Sequence, residues 1–178
     1  MNYSLDIKLK AQKIKLAAFD IDGVMTDGSL TYLPDGTQAK TFNAKDGLGV
    51  VMLNVAGYKT AIITAKETKA VSERAKTLNI TKLFMNQKNK ILALNELCRE
   101  FELSYDEIMY MGDDLPDMEV LKNCGLAVCP NDAVDEVKSI CDIVTSKDGG
   151  RGAVREICDF LLKVKGVTFE DLRKPSQQ

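Results

Sequence analysis

Short apolar runs that end in polar residues alternate with longer helical patterns along most of this chain, and that alternation permits few folds. The first run, Lys15–Phe19 (KLAAF), leads straight into Asp20. Thr60–Ile63 ends at Thr64, and Glu107–Met111 (EIMYM) opens into Gly112-Asp113-Asp114. Further strand signals stand at Lys82–Phe84, Gly125–Cys129 and Asp142–Thr145. Between them lie helical patterns at Asp46–Ala56 (closed by Gly57), Glu67–Leu78, Asn89–Glu102, Asp117–Asn123, Ala133–Ser139 and Gly152–Val164. In Asn89–Glu102, for example, Ile91, Leu92, Leu94, Leu97, Cys98 and Phe101 share the apolar side. Strands and helices in this order imply an α/β fold, a three-layer, Rossmann-like parallel sheet with helices on both faces.

One stretch breaks the pattern. Leu30 and Tyr32, then Pro34-Asp35-Gly36, then Thr41 and Phe42 predict two short strands around a turn, a β-hairpin insertion over 28–43. The expected organisation is a single domain over 1–165 carrying that hairpin, followed by a polar tail over 166–178. A length of 178 residues suits one domain with a substantial core.

Composition narrows the chemistry. The net charge of −2 without a basic block argues against a nucleic-acid partner. No apolar run approaches the roughly 18 residues of a membrane span, and MNYSLDIKLKAQKIK lacks the apolar core of a signal peptide, so a cytoplasmic protein is expected. The 5 cysteines are odd in number, lack C-x-x-C spacing and read as small buried thiols. There is no histidine. Ser-His and Cys-His nucleophilic pairs and most zinc sites are thereby removed, leaving carboxylates, lysine, hydroxyls and a hard, oxygen-loving metal.

Ligands of open parallel sheets bind beyond the carboxyl ends of the strands. The residues placed there are Asp20, Asp22, Thr64, Asp113 and Asp114, with Lys90 beginning a helix. In Asp20-Ile21-Asp22-Gly23, carboxylates directly after a buried strand are too costly to be core. They form either a turn held by side-chain hydrogen bonds or a paired acidic site whose repulsion a divalent cation relieves. Gly112-Asp113-Asp114-x-x-Asp117 is a second acidic cluster, with more aspartates than one helix cap requires. Mg²⁺ suits such a site because it takes few protein carboxylates and keeps several waters. A nucleophile, a metal, a hydroxyl and a cation are what a phosphoryl-transfer transition state needs.

These motifs resemble those of the haloacid dehalogenase superfamily of phosphatases, in the same order: FDIDGVMTDG (19–28), IIT (62–64), Lys90 and GDDLPD (112–117). The segments KTFNAKDGLG (40–49), YMGDDLPD (110–117) and DGGRGAVRE (148–156) are similar, more narrowly, to the superfamily's 3-deoxy-D-manno-octulosonate 8-phosphate phosphatases. The resemblance implies a haloacid dehalogenase-type fold without a large cap domain. It implies Asp20 as nucleophile and Mg²⁺ ligand, Asp22 as acid/base and backbone-carbonyl ligand, Thr64 and Lys90 on the phosphoryl oxygens, and Asp113 completing the metal site. Asp114 and Asp117 would support from behind, Asp117 orienting Lys90 or metal-bound water. It further implies a sugar-acid phosphate as substrate, a place in lipopolysaccharide biosynthesis, and a homotetramer whose hairpins build a central barrel.

Where that family has Gly-Arg after the motif-two threonine, this chain has Ala65-Lys66. Relatives acting on a nine-carbon 9-phosphate tend to carry glutamate at position 66 and GGEG around 151; basic residues at both favour the eight-carbon acid. Lys66, Arg74 and Arg151 are the expected readers of its carboxylate. A receiver-type signalling domain would gather similar residues, but with the acceptor aspartate on a middle strand, after an acidic cluster on the first; here the third strand, Lys82–Phe84, continues into Met85-Asn86 with no aspartate. A regulatory domain without activity would not keep every motif residue.

Overall fold

The protein was analysed as a computed structural model, which describes residues 3–173. The chain opens with a helix the sequence reading does not contain, α1 (Leu5–Lys13), capped by Ser4, whose hydroxyl accepts from the Ile7 N–H. β1 (Leu16–Phe19) follows, then the hairpin strands β2 (Thr31–Tyr32) and β3 (Gln38–Ala39). After them come α2 (Ala44–Val55), β4 (Lys59–Ile63), α3 (Lys69–Thr77), β5 (Lys82–Phe84) and α4 (Lys90–Phe101). The second half holds β6 (Ile108–Met111), α5 (Met118–Asn123), β7 (Leu126–Cys129), α6 (Asp135–Lys138), β8 (Ile143–Val144), α7 (Ala153–Lys165) and α8 (Phe169–Arg173).

Six strands form one sheet in the order β5-β4-β1-β6-β7-β8, every pair parallel. Its strands bury both faces, so side chains alternate between two cores rather than between core and water. Ala17, Phe19, Ile62, Met109, Met111 and Val128 pack on one side. Leu16, Ala18, Ile63, Ile108, Tyr110 and Cys129 pack on the other. The first core is covered by α1, α2, α3 and α7, the second by α4, α5 and α6. This is the expected three-layer α/β architecture, with the hairpin as a separate two-stranded ribbon and no cap domain among the described residues.

Boundaries shift by a residue or two for identifiable reasons. Asn43, not Asp46, caps α2, accepting from the Lys45 N–H. Asp46 instead lies buried in the first turn, where its carboxylate accepts from the N–H groups of Gly152 and Arg155 and so seats the N-terminus of α7. Thr68 caps α3, and Glu102 ends α4 in a left-handed conformation. Within the expected tail, α8 forms, and Val167 and Leu172 pack against the core; residues 174–178 lie outside the described residues. All five cysteines are free. No helix among the described residues is long and apolar enough to cross a membrane.

Candidate active site

Because all six strands run the same way, their carboxyl ends share one edge, and the loops leaving β1, β4 and β6 start side by side. The sheet register runs on into these loops. Asp20 N–H donates to Met111 O at 3.0 Å, Gly112 N–H to Val128 O at 3.2 Å and Thr64 N–H to Phe84 O at 3.0 Å. Two acidic loops from strands neighbouring in space but far apart in sequence are thus brought face to face. Their fit leaves no room for a side chain at Gly23 (φ +87°): a Cβ there would stand 2.0 Å from Asp113 Oδ2. The loop rests on a second glycine, since a Cβ on Gly149 would stand 1.8 Å from Gly23 O.

Lys90 stands at the centre. It begins α4, is 3 % exposed, and its Nζ lies 2.7 Å from both Asp20 Oδ2 and Asp117 Oδ1. Asp117 is saturated. Its Oδ1 also accepts from the Tyr110 hydroxyl at 2.6 Å, and its Oδ2 from the N–H groups of Asp113 (3.1 Å) and Asp114 (3.3 Å). Asp113 is the opposite case, for its Oδ1 is buried with no hydrogen-bond partner. Burial, then the charges of Asp20 and Asp117, push the Asp113 carboxyl up to about 8. Burial also raises Asp20, with Lys90 opposing and Asp117 adding to the shift. Burial works against the Lys90 ammonium, but its two carboxylates outweigh it and raise its pKa.

Asp20, Asp113 and Asp117 each offer an oxygen within 4.8 Å of the others. Packed carboxylates that resist ionisation together are what a divalent cation stabilises. The orphaned Asp113 oxygen and the raised Asp20 fit Mg²⁺; Asp117, with both oxygens occupied by donors, fits the task of holding Lys90 and the 113–114 loop. Asp114 is exposed and caps the turn at Leu115, accepting from its N–H.

Thr64 is buried at the end of β4, with Lys66 N–H 3.5 Å from its Oγ1. Lys66 is exposed and lines a cleft of about 710 Å³ between the hairpin and the start of α3, with Tyr32, Thr37, Gln38 and Asn86. Arg74 is not brought to that cleft. Its Nη2 donates to Asn43 O at 3.0 Å, its guanidinium lies 5.4 Å over the Phe42 ring, and burial lowers its pKa. Arg151 is exposed and pairs with Asp27 at 2.9 Å, beyond the loop that carries Asp22.

Two residues of the site escaped the sequence reading. Tyr110 sits inside the EIMYM run, where a buried phenol needs a polar partner and only the strand-end carboxylates offer one; that signal was available. Lys40 is the other: its Nζ pairs with Asp22 Oδ1 while its side chain is 3 % exposed. Nothing in a lysine following a polar hairpin strand announces that it turns inward.

Comparison with known proteins agrees with this geometry. Residues 62–157 match the family model described as haloacid dehalogenase-like hydrolase. The chain is 39% identical over 163 residues to the Escherichia coli K12 3-deoxy-D-manno-octulosonate 8-phosphate phosphatase KdsC, covering 92% of this chain and 87% of that one. The Moraxella catarrhalis 3-deoxy-D-manno-octulosonate 8-phosphate phosphatase, solved with magnesium ion, phosphate ion and KDO, superposes with a TM-score of 0.87 at 37% identity, covering 89% and 91% of the two chains. The Yersinia pestis phosphatase of the same name gives a TM-score of 0.89 at 37% identity, covering 94% and 89%. Identity of this order along nearly the whole length leaves no room for a receiver domain, and the chain belongs to the haloacid dehalogenase-like hydrolases, in the KdsC family of 3-deoxy-D-manno-octulosonate 8-phosphate phosphatases.

Proposed function

We propose that this protein is a Mg²⁺-dependent phosphatase that converts 3-deoxy-D-manno-octulosonate 8-phosphate to the free sugar acid and phosphate through an aspartyl-phosphate on Asp20. The observation that carries the reading is Lys90, held at 2.7 Å from both Asp20 and Asp117 beside the unpartnered oxygen of Asp113. The relatives named for the eight-carbon substrate favour it over the nine-carbon acid.

Asp20 attacks phosphorus with one carboxylate oxygen, the ester P–O bond breaks, and Asp22 gives its proton to the leaving sugar oxygen. Asp22 then takes a proton from water, whose oxygen attacks phosphorus and releases phosphate, restoring Asp20. Lys90 favours the ionised form of Asp20 against the burial that opposes it and, with Thr64, holds phosphoryl oxygens as charge spreads over them. Asp20, Asp113 and the Asp22 carbonyl would hold Mg²⁺, which supplies charge neutralisation at the phosphoryl group when bound. Asp20→Asn should abolish phosphate release while the protein stays folded, and EDTA should stop the native protein until Mg²⁺ is restored. Near-normal turnover by the folded variant, or indifference to EDTA, sinks the mechanism.

Residues 1–165 serve as one phosphatase domain in this reading, and a homotetramer assembled through the hairpins accompanies it. Leu30, Tyr32 and Leu33 are 50%, 63% and 45% exposed on a ribbon whose strands are two residues long, too little to stand alone in water. A sugar-acid phosphate carries both a carboxylate and a phosphate and does not cross membranes unaided, so the substrate goes with a cytoplasmic location.

A further inference from the structure

Lys40 is a buried cation that the mechanism above does not use. It lies directly after β3, yet its side chain turns inward and is 3 % exposed, while that of Asp22 is 26 % exposed. Asp22 is the one carboxylate its Nζ meets in an ion pair among the described residues. A buried ammonium without such a partner is strongly unfavourable, so the position of each group is fixed by the other.

The hairpin leg that carries Lys40 is itself held. Three residues on, Asn43 caps α2 and its Nδ2 donates to Gly150 O at 3.3 Å, while Arg74 donates to Asn43 O and covers the Phe42 ring. The outgoing leg is fastened too, with Gly28 N–H donating to Thr26 Oγ1 and Ser29 N–H to Asp27 Oδ1. Lys40 is therefore presented from a fastened base, not from the exposed tip.

We propose that Lys40 is the positioning residue for Asp22: the hairpin delivers this lysine to fix the Asp22 carboxyl group where it can protonate the leaving oxygen of the substrate. The proposal rests on the reading of Asp22 as the acid. Swung toward solvent, an untethered Asp22 would leave the leaving group without a proton donor.

Protonation matters for an alkyl leaving group and little for p-nitrophenolate, a stable anion. The test measures kcat/KM, which reports events up to the first product release, for octulosonate 8-phosphate and for p-nitrophenyl phosphate. It is made with native protein, Asp22→Asn and Lys40→Met, with thermal unfolding to confirm folding. Lys40→Met should lose about tenfold to a hundredfold on the sugar phosphate and less than about threefold on the aryl ester. Inhibition by inorganic phosphate should stay within about twofold of native, because Lys90 and Thr64 remain. Should Lys40→Met not fold, Lys40→Gln, one atom shorter and without the charge, breaks the same ion pair, and the same selective loss on the sugar phosphate is expected of it. Equal losses on both substrates with Lys40→Met, while Asp22→Asn still discriminates, overturn the role of Lys40 alone. If Asp22→Asn fails to discriminate, the acid assignment falls and the positioning role with it.

Discussion

Tyr110 packs its ring into one core and hands its hydroxyl to Asp117, which in turn grips Lys90. Tyr110→Phe removes one of four donors to that carboxylate without opening a cavity. A hydrogen bond to a buried charged group contributes about 1.5–3 kcal/mol, so urea unfolding should show a loss in that range. A change below about 0.5 kcal/mol would mean that the hydroxyl does not hold Asp117. At the same scale, the three cations expected to read the substrate carboxylate separate. Arg74 is committed to Asn43 and Phe42, whereas Lys66 lines the cleft and Arg151 stands at the surface. Lys66→Ala or Arg151→Ala should raise KM for octulosonate 8-phosphate about tenfold to a hundredfold. p-Nitrophenyl phosphate, lacking the carboxylate, should be spared by both. Arg74→Ala should instead lower the melting temperature. Equal losses on both esters with Lys66→Ala and Arg151→Ala would remove those two from the reading of the carboxylate.

The hairpin is the element on which assembly turns. Leu30, Tyr32 and Leu33 on it are exposed within one chain, so light scattering at micromolar concentration should give four times the mass of the 178-residue chain; a stable monomer would refute the tetramer. Elements were legible from sequence where tertiary structure agrees with local pattern. KLAAF and EIMYM read as strands because an interior strand is apolar on both faces, and the acidic residues after them read as site residues because they cannot be core. The structure brings Asp20, Lys90, Asp113 and Asp117 together at one edge, as their order along the chain suggested. α1 was not legible, for Leu5 and Leu9 are exposed and only Ala11 is buried, so no apolar stripe marks it. Asp46 looked like a helix start, yet its carboxylate serves another helix more than a hundred residues on. The inward turn of Lys40 and the packing of Arg74 over Phe42 were not legible either, because local pattern leaves a long cationic side chain unplaced and only the folded chain shows what it covers.

For the molecule as a whole, the acidic centre links metal, protons and stability. Without metal, Asp113 rises from 3.8 to about 8 through burial and neighbouring carboxylates. Between those values the folded protein binds more protons than the unfolded chain, so stability falls as pH rises through the window. Mg²⁺ requires the ionised carboxylates and releases their protons. The metal-free protein should therefore lose unfolding free energy from pH 5 to pH 8. Saturating Mg²⁺ should flatten that slope, and Mg²⁺ affinity should climb until about pH 8. Affinity independent of pH across this range would contradict the assignment.

β1, the first strand among the described residues, ends up in the middle of the sheet between β4 and β6, and neither partner is near it in sequence. During synthesis its apolar run must wait for more than forty residues before the first partner exists and about ninety before the second. An unpaired apolar strand is an aggregation hazard for as long as it waits. Charged gatekeepers at the ends of such a run lower the hazard, and here they are Lys15 and Asp20. The carboxylate proposed to attack phosphorus in the finished protein also guards the nascent one against pairing with the wrong chain.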